Sequence, residues 1–205
     1  MDSYENVKDF VRQEMSSDKS GHGFEHAFRV YVTAQQILQH EKGDEKIVLT
    51  AALIHDCIDK KLFSDVEGQI AKVKNFLLSI NYTSTEVDEI LYIITHISWS
   101  HGIDTKLDSL NALIVRDADR LDGIGATGII RAIEYGCNVG REFYDPENIG
   151  SDGKFNKATN STLSLFYERL LLVKDKVYTK TAKKIAIDRH KFMVKFLNQF
   201  YKELP

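Results

Sequence analysis

The sequence predicts an all-α fold, a compact single-domain helical bundle spanning residues 1–205. The chain of 205 residues contains only two prolines, Pro146 and Pro205, so long stretches permit helix. Apolar residues recur at helical spacing, whereas the alternating β-branched runs that predict strands are scarce. With 43% hydrophobic residues the chain can bury a sizeable core, and its length fits one domain better than two.

Four helices are predicted in the first 80 residues. The first two carry apolar residues at spacings of three and four: Tyr4, Val7, Phe10 and Val11, then Phe28, Val32, Ala34, Ile37 and Leu38. Residues 42–44 interrupt the pattern, and a third helix runs from about residue 45 into His55 and Asp56. A fourth covers roughly residues 65–79, with Ile70, Val73 and Leu77 on one face.

The rest of the chain continues this pattern. Thr83 or Ser84, followed by Glu86, looks like an N-cap for a helix that runs towards His96. Residues 98–108 are polar and irregular, residues 110–120 form an apolar helix, and another begins within residues 123–128. Residues 140–160, rich in Gly, Asn, Asp and Ser, predict a mobile surface loop. Two amphipathic helices then close the core, with these apolar positions: Leu163, Phe166, Leu170 and Val173, then Ile185, Phe192, Phe196 and Phe200.

The charge pattern excludes some partners. The formal net charge is −3, and acidic and basic residues are interleaved, so we expect neither nucleic acid nor a membrane as partner. The two cysteines lie far apart and do not resemble a disulfide framework, and no signal peptide or membrane span is evident. We therefore expect a cytoplasmic protein. The residues do not specify its oligomeric state.

Three motifs place metal-ligand side chains against apolar helical surfaces. His26 opens the second helix, His55 and Asp56 follow the apolar run 51–54, and Asp117 follows the apolar run 113–115. A histidine alone on an apolar helix is more often a hydrogen-bonded core residue, but together these residues would offer two imidazole nitrogens and two carboxylates to one divalent ion. Such a set suits Mn²⁺, which we favour, and also Mg²⁺, Ni²⁺, Co²⁺, Fe²⁺ or Zn²⁺. Hydrolysis is the implied reaction class.

The ordered His, His-Asp, Asp pattern on a helical chain resembles the HD-domain metal-dependent phosphohydrolases. The segments that carry the resemblance are GHGFEHAFRV (21–30), AALIHD (51–56), DADRLDGIGA (117–126) and RHKFM (189–193), similar to a small bacterial single-domain branch. The resemblance implies an HD-type helical bundle, with His26, His55, Asp56 and Asp117 as ligands of one metal ion. It also implies phosphate chemistry, and for this branch we favour a small-molecule nucleotide substrate.

Further residues are candidates for catalysis and substrate binding. Asp59 either activates the attacking water or caps its loop. Four cations either neutralise phosphate charge or form ion pairs: Arg29, Lys60, Lys61 and Arg120. His22 either caps a helix or contacts substrate, while His96 and His101 either add a second metal, contact phosphate or are structural.

Other polar residues near these motifs have structural explanations. Asp119 and Asp122 are expected to anchor Arg120 or nearby helix ends, because Asp117 fills the ligand position. The start of the helix at residues 123–128 offers backbone N–H groups to an anion, and a tight helix crossing explains the same glycines almost as well. His40 and His190 are expected to be solvated or structural.

The leading hypothesis is a metal-dependent nucleotide phosphohydrolase, either a nucleoside triphosphate pyrophosphohydrolase or a nucleotide phosphatase. One alternative is a non-catalytic metal or nucleotide sensor that uses the same ligands. Another is a di-iron oxygenase, which requires at least His96 as a further ligand.

Overall fold

Helices make up the regular structure of the protein. The structure is a computed structural model that describes residues 3–16, 23–60, 62–97, 106–145 and 161–204. Within these ranges there are α-helices and a short 3₁₀ helix, and no β-strand, which confirms the all-α prediction. None of the described helices is long and apolar enough to cross a membrane.

The chain divides into two compact units, Met1–Asp119 and Arg120–Pro205. The first unit contains α1 (Ser3–Glu14), α2 (Phe24–Leu38), α3 (Glu45–Ile54), α4 (Val66–Ser79), α5 (Ser84–His96) and most of α6 (Leu110–Asp122). The second contains α7 (Gly125–Asn138), α8 (Thr162–Glu168), the 3₁₀ helix (Leu170–Asp175) and α9 (Lys180–Glu203). That the whole chain forms a single domain stays a prediction.

The helix α3 forms the core of the first unit. Every residue from Ile47 to Ile54 is buried, and α3 packs against α1, α2 and α5. Asp44 caps the helix, because its Oδ1 accepts a hydrogen bond of 3.0 Å from the backbone N–H of Ile47. A helix that is apolar on all sides must be surrounded by other elements, so the carboxyl end of α3 lies within the unit.

Polar contacts fix the directions of α5 and α6 relative to α3. Lys46, in the first turn of α3, pairs with Glu86 in the first turn of α5, at 2.7 Å between Nζ and Oε1. The backbone N–H of Asp44 donates to Oδ1 of Asn111, near the start of α6, at 2.8 Å. The three helices therefore begin close together, and α3 and α5 pack against each other as they extend from that point. Their carboxyl ends point towards one end of the unit.

Close backbone approach explains two glycines of the second unit. Gly125 has φ +77°, and a Cβ there would lie 3.0 Å from Cγ of Arg189 on α9. A Cβ on Gly128 would lie 2.3 Å from the carbonyl oxygen of Gly123, a contact that no side chain tolerates. The tight-packing explanation of these glycines is therefore supported by the structure, and α7 does pack against α9.

Several predicted elements are confirmed. The fourth helix begins after the N-cap Asp65 and ends at Ser79, and the fifth begins after the N-cap Thr83. Residues 106–109 are irregular, as predicted. The rest of the predicted irregular segment, 98–105, and residues 146–160 of the predicted mobile loop lie outside the described residues.

Other predicted elements were wrong in detail. The helix predicted through Leu163 and Val173 is broken at Arg169, where φ −136° and ψ −59° end α8 before the 3₁₀ helix. On α9, Phe192 is 50% exposed, and the buried positions are Ala182, Ala186, Met193 and Leu197. On α2, the predicted apolar residues Phe28 and Val32 are exposed. Helical spacing alone does not say which apolar stripe faces the core when a helix carries more than one.

Candidate metal centre

Two histidines and an aspartate that the sequence predicted as metal ligands meet in the first unit. The Nε2 atoms of His26 and His55 lie 3.2 Å apart. Asp56 is 3.4 Å from both imidazoles, with Oδ2 near Nε2 of His26 and Oδ1 near Nε2 of His55. All three residues are buried, and one potential ligand atom from each lies within 4.8 Å of the others, a grouping that could hold a metal ion.

The end of α3 positions His55 and Asp56. His55 is the C-cap residue, and its Nδ1 lies 2.9 Å from the carbonyl oxygen of Ala52, one turn earlier. Because only an N–H can bond to a carbonyl, Nδ1 carries the proton and the Nε2 of neutral His55 presents a lone pair to the cluster. Asp56 follows in a turn closed by a 3.0 Å hydrogen bond from the N–H of Asp59 to the Asp56 carbonyl.

The start of α2 positions His26. Its backbone N–H donates to the carbonyl of the N-cap residue Gly23 at 3.0 Å, so His26 lies in the first turn. The connection from α2 to α3 is short, and His26 at the start of α2 lies against His55 at the end of α3. The two helices are therefore antiparallel, and the first turn of α2 lies beside the last turn of α3.

A second carboxylate, that of Asp119 on α6, completes the cluster. Its Oδ1 lies 3.4 Å from Nε2 of His26 and 3.7 Å from Nε2 of His55. Burial raises the pKa of Asp119, but a hydrogen bond from His26 and the charges of His55 and His26 outweigh it and hold that pKa below its ordinary value. The carboxylate is therefore ionised at neutral pH. Its side chain is 29% exposed, so the cluster opens towards solvent on this side.

The geometry favours Asp119 over the predicted Asp117 as the fourth ligand. Residues two apart on an α-helix project about 160° apart around its axis, so the two side chains cannot share one face. Asp117 has no exposed surface and lies three residues after Ile114 and four before Leu121, both fully buried. The helical phase of α6 is the sequence signal that separates the two acids. Asp119, which was expected to anchor Arg120 or a nearby helix end, lies against His26 and His55.

The four side chains fit a divalent ion. Tetrahedral ligands at metal bonds of about 2.0–2.1 Å lie about 3.3 Å apart. This is close to the 3.2 Å between the two Nε2 atoms and the 3.4–3.7 Å from them to the carboxylate oxygens. Two imidazoles and two carboxylates are borderline-hard donors of the kind that Mn²⁺, Fe²⁺, Co²⁺ and Zn²⁺ accept. The adjacent Cys57 is fully buried, which together with the charge of Asp56 raises the pKa of its thiol and keeps it protonated. A thiolate ligand is therefore not part of this set.

Three predicted catalytic or phosphate-binding residues lie near the cluster in sequence and on the same elements. Arg29 is half-buried on α2, one turn after His26, and Asp59 is half-buried in the turn that follows Asp56. The carbonyl of Asp59 accepts hydrogen bonds of 2.9 and 3.0 Å from the N–H groups of Leu62 and Phe63, which shape this turn. Lys60 is exposed there. Their roles stay predictions.

Arg120 and Asp122 make structural contacts in the second unit. Arg120 is buried, donates from Nη1 to the carbonyl of Lys176, and lies 5.9 Å from the ring centroid of Tyr178. Asp122 accepts a hydrogen bond of 2.6 Å from Nη1 of Arg131. These contacts do not support the predicted phosphate-binding role of Arg120.

The remaining predicted histidines lie in different places. His96 is exposed at the end of α5, and His40 is exposed after α2. His190 is half-buried on α9, where burial and the charge of Lys174 lower its pKa. Three further predicted site residues, His22, Lys61 and His101, lie outside the described residues.

Comparisons with known proteins match the part of the chain that carries this cluster. The family model described as "HD domain" matches residues 23–124, which include all four side chains of the cluster. The protein YpgQ of Bacillus subtilis (strain 168) is 35% identical over 203 residues, covering 98% of this chain and 93% of YpgQ.

Solved structures show the same likeness. The crystal structure of Bacillus subtilis YpgQ in complex with ADP is 34% identical, with a TM-score of 0.78, and the match covers 97% of this chain and 98% of that one. An HD-superfamily hydrolase from Bacillus thuringiensis is 35% identical, with a TM-score of 0.79, covering 97% of this chain and 95% of that one. The chain therefore belongs to the HD-domain family.

Proposed function

We propose that the protein is a divalent-metal-dependent phosphohydrolase that acts on nucleotides. The observation that carries the proposal is the convergence of His26, His55, Asp56 and Asp119: the two Nε2 atoms lie 3.2 Å apart, and carboxylate oxygens lie 3.4–3.7 Å from them. The Bacillus thuringiensis relative, described as an HD-superfamily hydrolase, supports the hydrolytic class. The complex of YpgQ with ADP supports a nucleotide as ligand.

In this proposal the four side chains hold one metal ion, with Mn²⁺ favoured, and Asp119 takes the place predicted for Asp117. When bound, the ion would lower the pKa of water and polarise a phosphoryl oxygen. The hydrogen bond from His55 to the Ala52 carbonyl fixes the ring with Nε2 as the donor atom. Asp119 adds negative charge on the side of the cluster that is open to solvent.

The neighbouring polar residues have proposed roles in handling protons and phosphate charge. Asp59, three residues after Asp56, would accept a proton from the attacking water. Lys60 and Arg29 would neutralise charge on the phosphoryl group, as would Lys61. The charge of each group suits its role.

Two bonds are candidates for cleavage. Attack at the inner phosphorus of a nucleoside triphosphate would give the monophosphate and pyrophosphate, while attack on a monophosphate would give nucleoside and phosphate. In either reaction a cation held by the four side chains would stabilise negative charge on the phosphate, so the same cluster would serve both. The products therefore distinguish the pyrophosphohydrolase from the phosphatase.

The test is a product screen with purified protein. The metal-free protein would be loaded separately with Mn²⁺, Mg²⁺, Co²⁺, Ni²⁺, Fe²⁺ and Zn²⁺ and incubated with nucleoside mono-, di- and triphosphates. We expect turnover with at least one metal, resolved by anion-exchange chromatography, and loss of turnover in Asp56→Asn. The exposed histidine variant His40→Ala serves as the matched control and should keep full activity.

Two outcomes would contradict the proposal. Nucleotide binding without turnover across all metals would instead identify a sensor. Two iron ions held with His96 as a further ligand, together with oxygen consumption, would identify an oxygenase. Among the described residues, His96 is not part of the metal-ligand group.

A further inference from the structure

A stacked pair of exposed aromatic rings lies on the last turns of α5. The ring centroids of Tyr92 and His96 are 4.5 Å apart, with an angle of 30° between the planes. Tyr92 is 37% exposed and His96 is also exposed. Aromatic side chains in water usually bury their faces, so a stacked pair at the surface offers a flat face to a planar ligand.

The orientation of the His96 ring is held by its own helix. Its Nδ1 lies 2.8 Å from the carbonyl oxygen of Tyr92 and 2.9 Å from Oγ1 of Thr95. Because a carbonyl only accepts, Nδ1 of His96 carries the proton, and Nε2 of the neutral ring is an acceptor. The pair is therefore preorganised as a platform, which reduces the entropy cost of stacking a ligand on it.

Helix directions place this pair at the same end of the first unit as the metal centre. The helices α3 and α5 start together at the Lys46–Glu86 ion pair and pack against each other, so we infer that they run in the same direction. From Lys46 to His55 the helix advances about 14 Å, and from Glu86 to His96 about 15 Å, at 1.5 Å per residue. His55 and His96 therefore lie at similar heights on two packed helices.

The row of side chains on α5 that carries the pair begins at a residue that contacts the start of α6. Glu89 lies three residues before Tyr92 and seven before His96, so the three side chains form one row along the helix. Its Oε1 accepts a hydrogen bond of 2.7 Å from Nδ2 of Asn111, near the start of α6. The helices α5 and α6 are therefore in contact near the start of α6, and Asp119, further along α6, contacts the metal centre.

We infer that the Tyr92–His96 pair is the subsite that binds the base of a nucleotide whose phosphates are held at the metal centre. The inference rests on the proposed function for the identity of the ligand. The exposed ring face supplies stacking, and Nε2 of His96 accepts a hydrogen bond from an N–H of the base or from a sugar hydroxyl. Stacking tolerates any base, so the subsite selects nucleotides over other phosphate compounds without selecting one base.

The test compares ligands with and without a base. Binding of ADP and of inorganic pyrophosphate to the Mn²⁺-loaded protein would be measured by calorimetry for wild type, Tyr92→Ala, Tyr92→Phe and His96→Ala. We expect Tyr92→Ala to weaken ADP binding about 5- to 100-fold, the usual loss when a stacking ring is removed. Tyr92→Phe should stay within about 3-fold of wild type, because it keeps the ring. Pyrophosphate binding should be the same in all four proteins.

Each result supports or overturns the inference independently of turnover. Unchanged ADP binding in Tyr92→Ala and His96→Ala overturns it, as does an equal loss for ADP and pyrophosphate, which would indicate damage to the metal centre. Thermal melts of each variant show whether it is folded. If ADP binds through the pair but no nucleotide is hydrolysed, the subsite stands and the proposed hydrolase function fails. If nucleotides are hydrolysed with an unchanged KM in Tyr92→Ala, the proposed hydrolase function stands and the subsite fails.

Discussion

Replacing Asp119 by Asn tests which aspartate of α6 belongs to the metal centre. The Oδ1 of Asp119 lies 3.4 and 3.7 Å from the two Nε2 atoms, so in the proposed centre this carboxylate would supply one of four donors and one unit of charge. Loss of partners that only support a ligand lowers metal affinity about 10- to 100-fold. We expect loss of a charged ligand to lower the affinity at least about 100-fold.

The expected loss of metal affinity predicts a smaller metal-induced increase in Tm. Metal at 100 times its Kd stabilises the wild type by about 2.7 kcal/mol. For a chain of this size each kcal/mol raises Tm by about 2–4 °C, which predicts a metal-induced shift of about 5–11 °C. At the same metal concentration a protein with 100-fold weaker affinity gains about 0.4 kcal/mol, a shift of about 1–2 °C. The assay is a thermal melt with and without Mn²⁺, at a concentration set by the wild-type Kd from calorimetry.

The matched control is Asp117→Asn on the same helix. Asp117 is fully buried, so losing its charge should cost about 1–3 kcal/mol in both the metal-free and the metal-loaded protein. The melting temperature should therefore fall while the metal-induced shift remains at about 5–11 °C. A full shift in Asp119→Asn, together with a lost shift in Asp117→Asn, would refute the assignment and restore the ligand predicted from the sequence.

Three further changes test the fold. Thr83→Ala removes the capping box in which Thr83 Oγ1 accepts from the N–H of Glu86 at 3.3 Å and Glu86 Oε2 accepts from the N–H of Thr83 at 2.7 Å. It should cost about 1 kcal/mol in chemical denaturation, and no change would mean that the cap is not formed in solution. Gly125→Ala forces a Cβ into a backbone with φ +77° and should cost at least about 1–2 kcal/mol; a neutral result would exclude this backbone conformation. Burial, then the charge of Lys174, lowers the pKa of His190 from 6.5, so the unfolded chain takes up this proton first as pH falls. The stability that neutral His190 contributes is therefore complete above about pH 6.5 and declines below it. The wild type should lose stability relative to His190→Gln between pH 8 and pH 5. Parallel curves of stability against pH for the two proteins would contradict this.

Local signals in the sequence accounted for most of the helices. Asp65 and Thr83 are N-caps because their side-chain oxygens accept from the backbone N–H groups three residues ahead, an interaction that needs no tertiary contact. The break at Arg169 and the exposed face of Phe192 were missed, since each depends on which neighbouring helix covers the apolar side chains. Helical periodicity cannot report that choice.

Some features of the metal centre follow from the sequence, and others depend on tertiary packing. The sequence by itself determined the all-helical fold, the ligand types and the His, His-Asp, Asp order, because residue type, spacing and propensity are properties of the chain. Only the tertiary structure decided that Asp119 meets His26 and His55, and that Tyr92 stacks on His96. The physical reason is that two residues on one helix face opposite ways, and which way is inward depends on the elements packed around that helix.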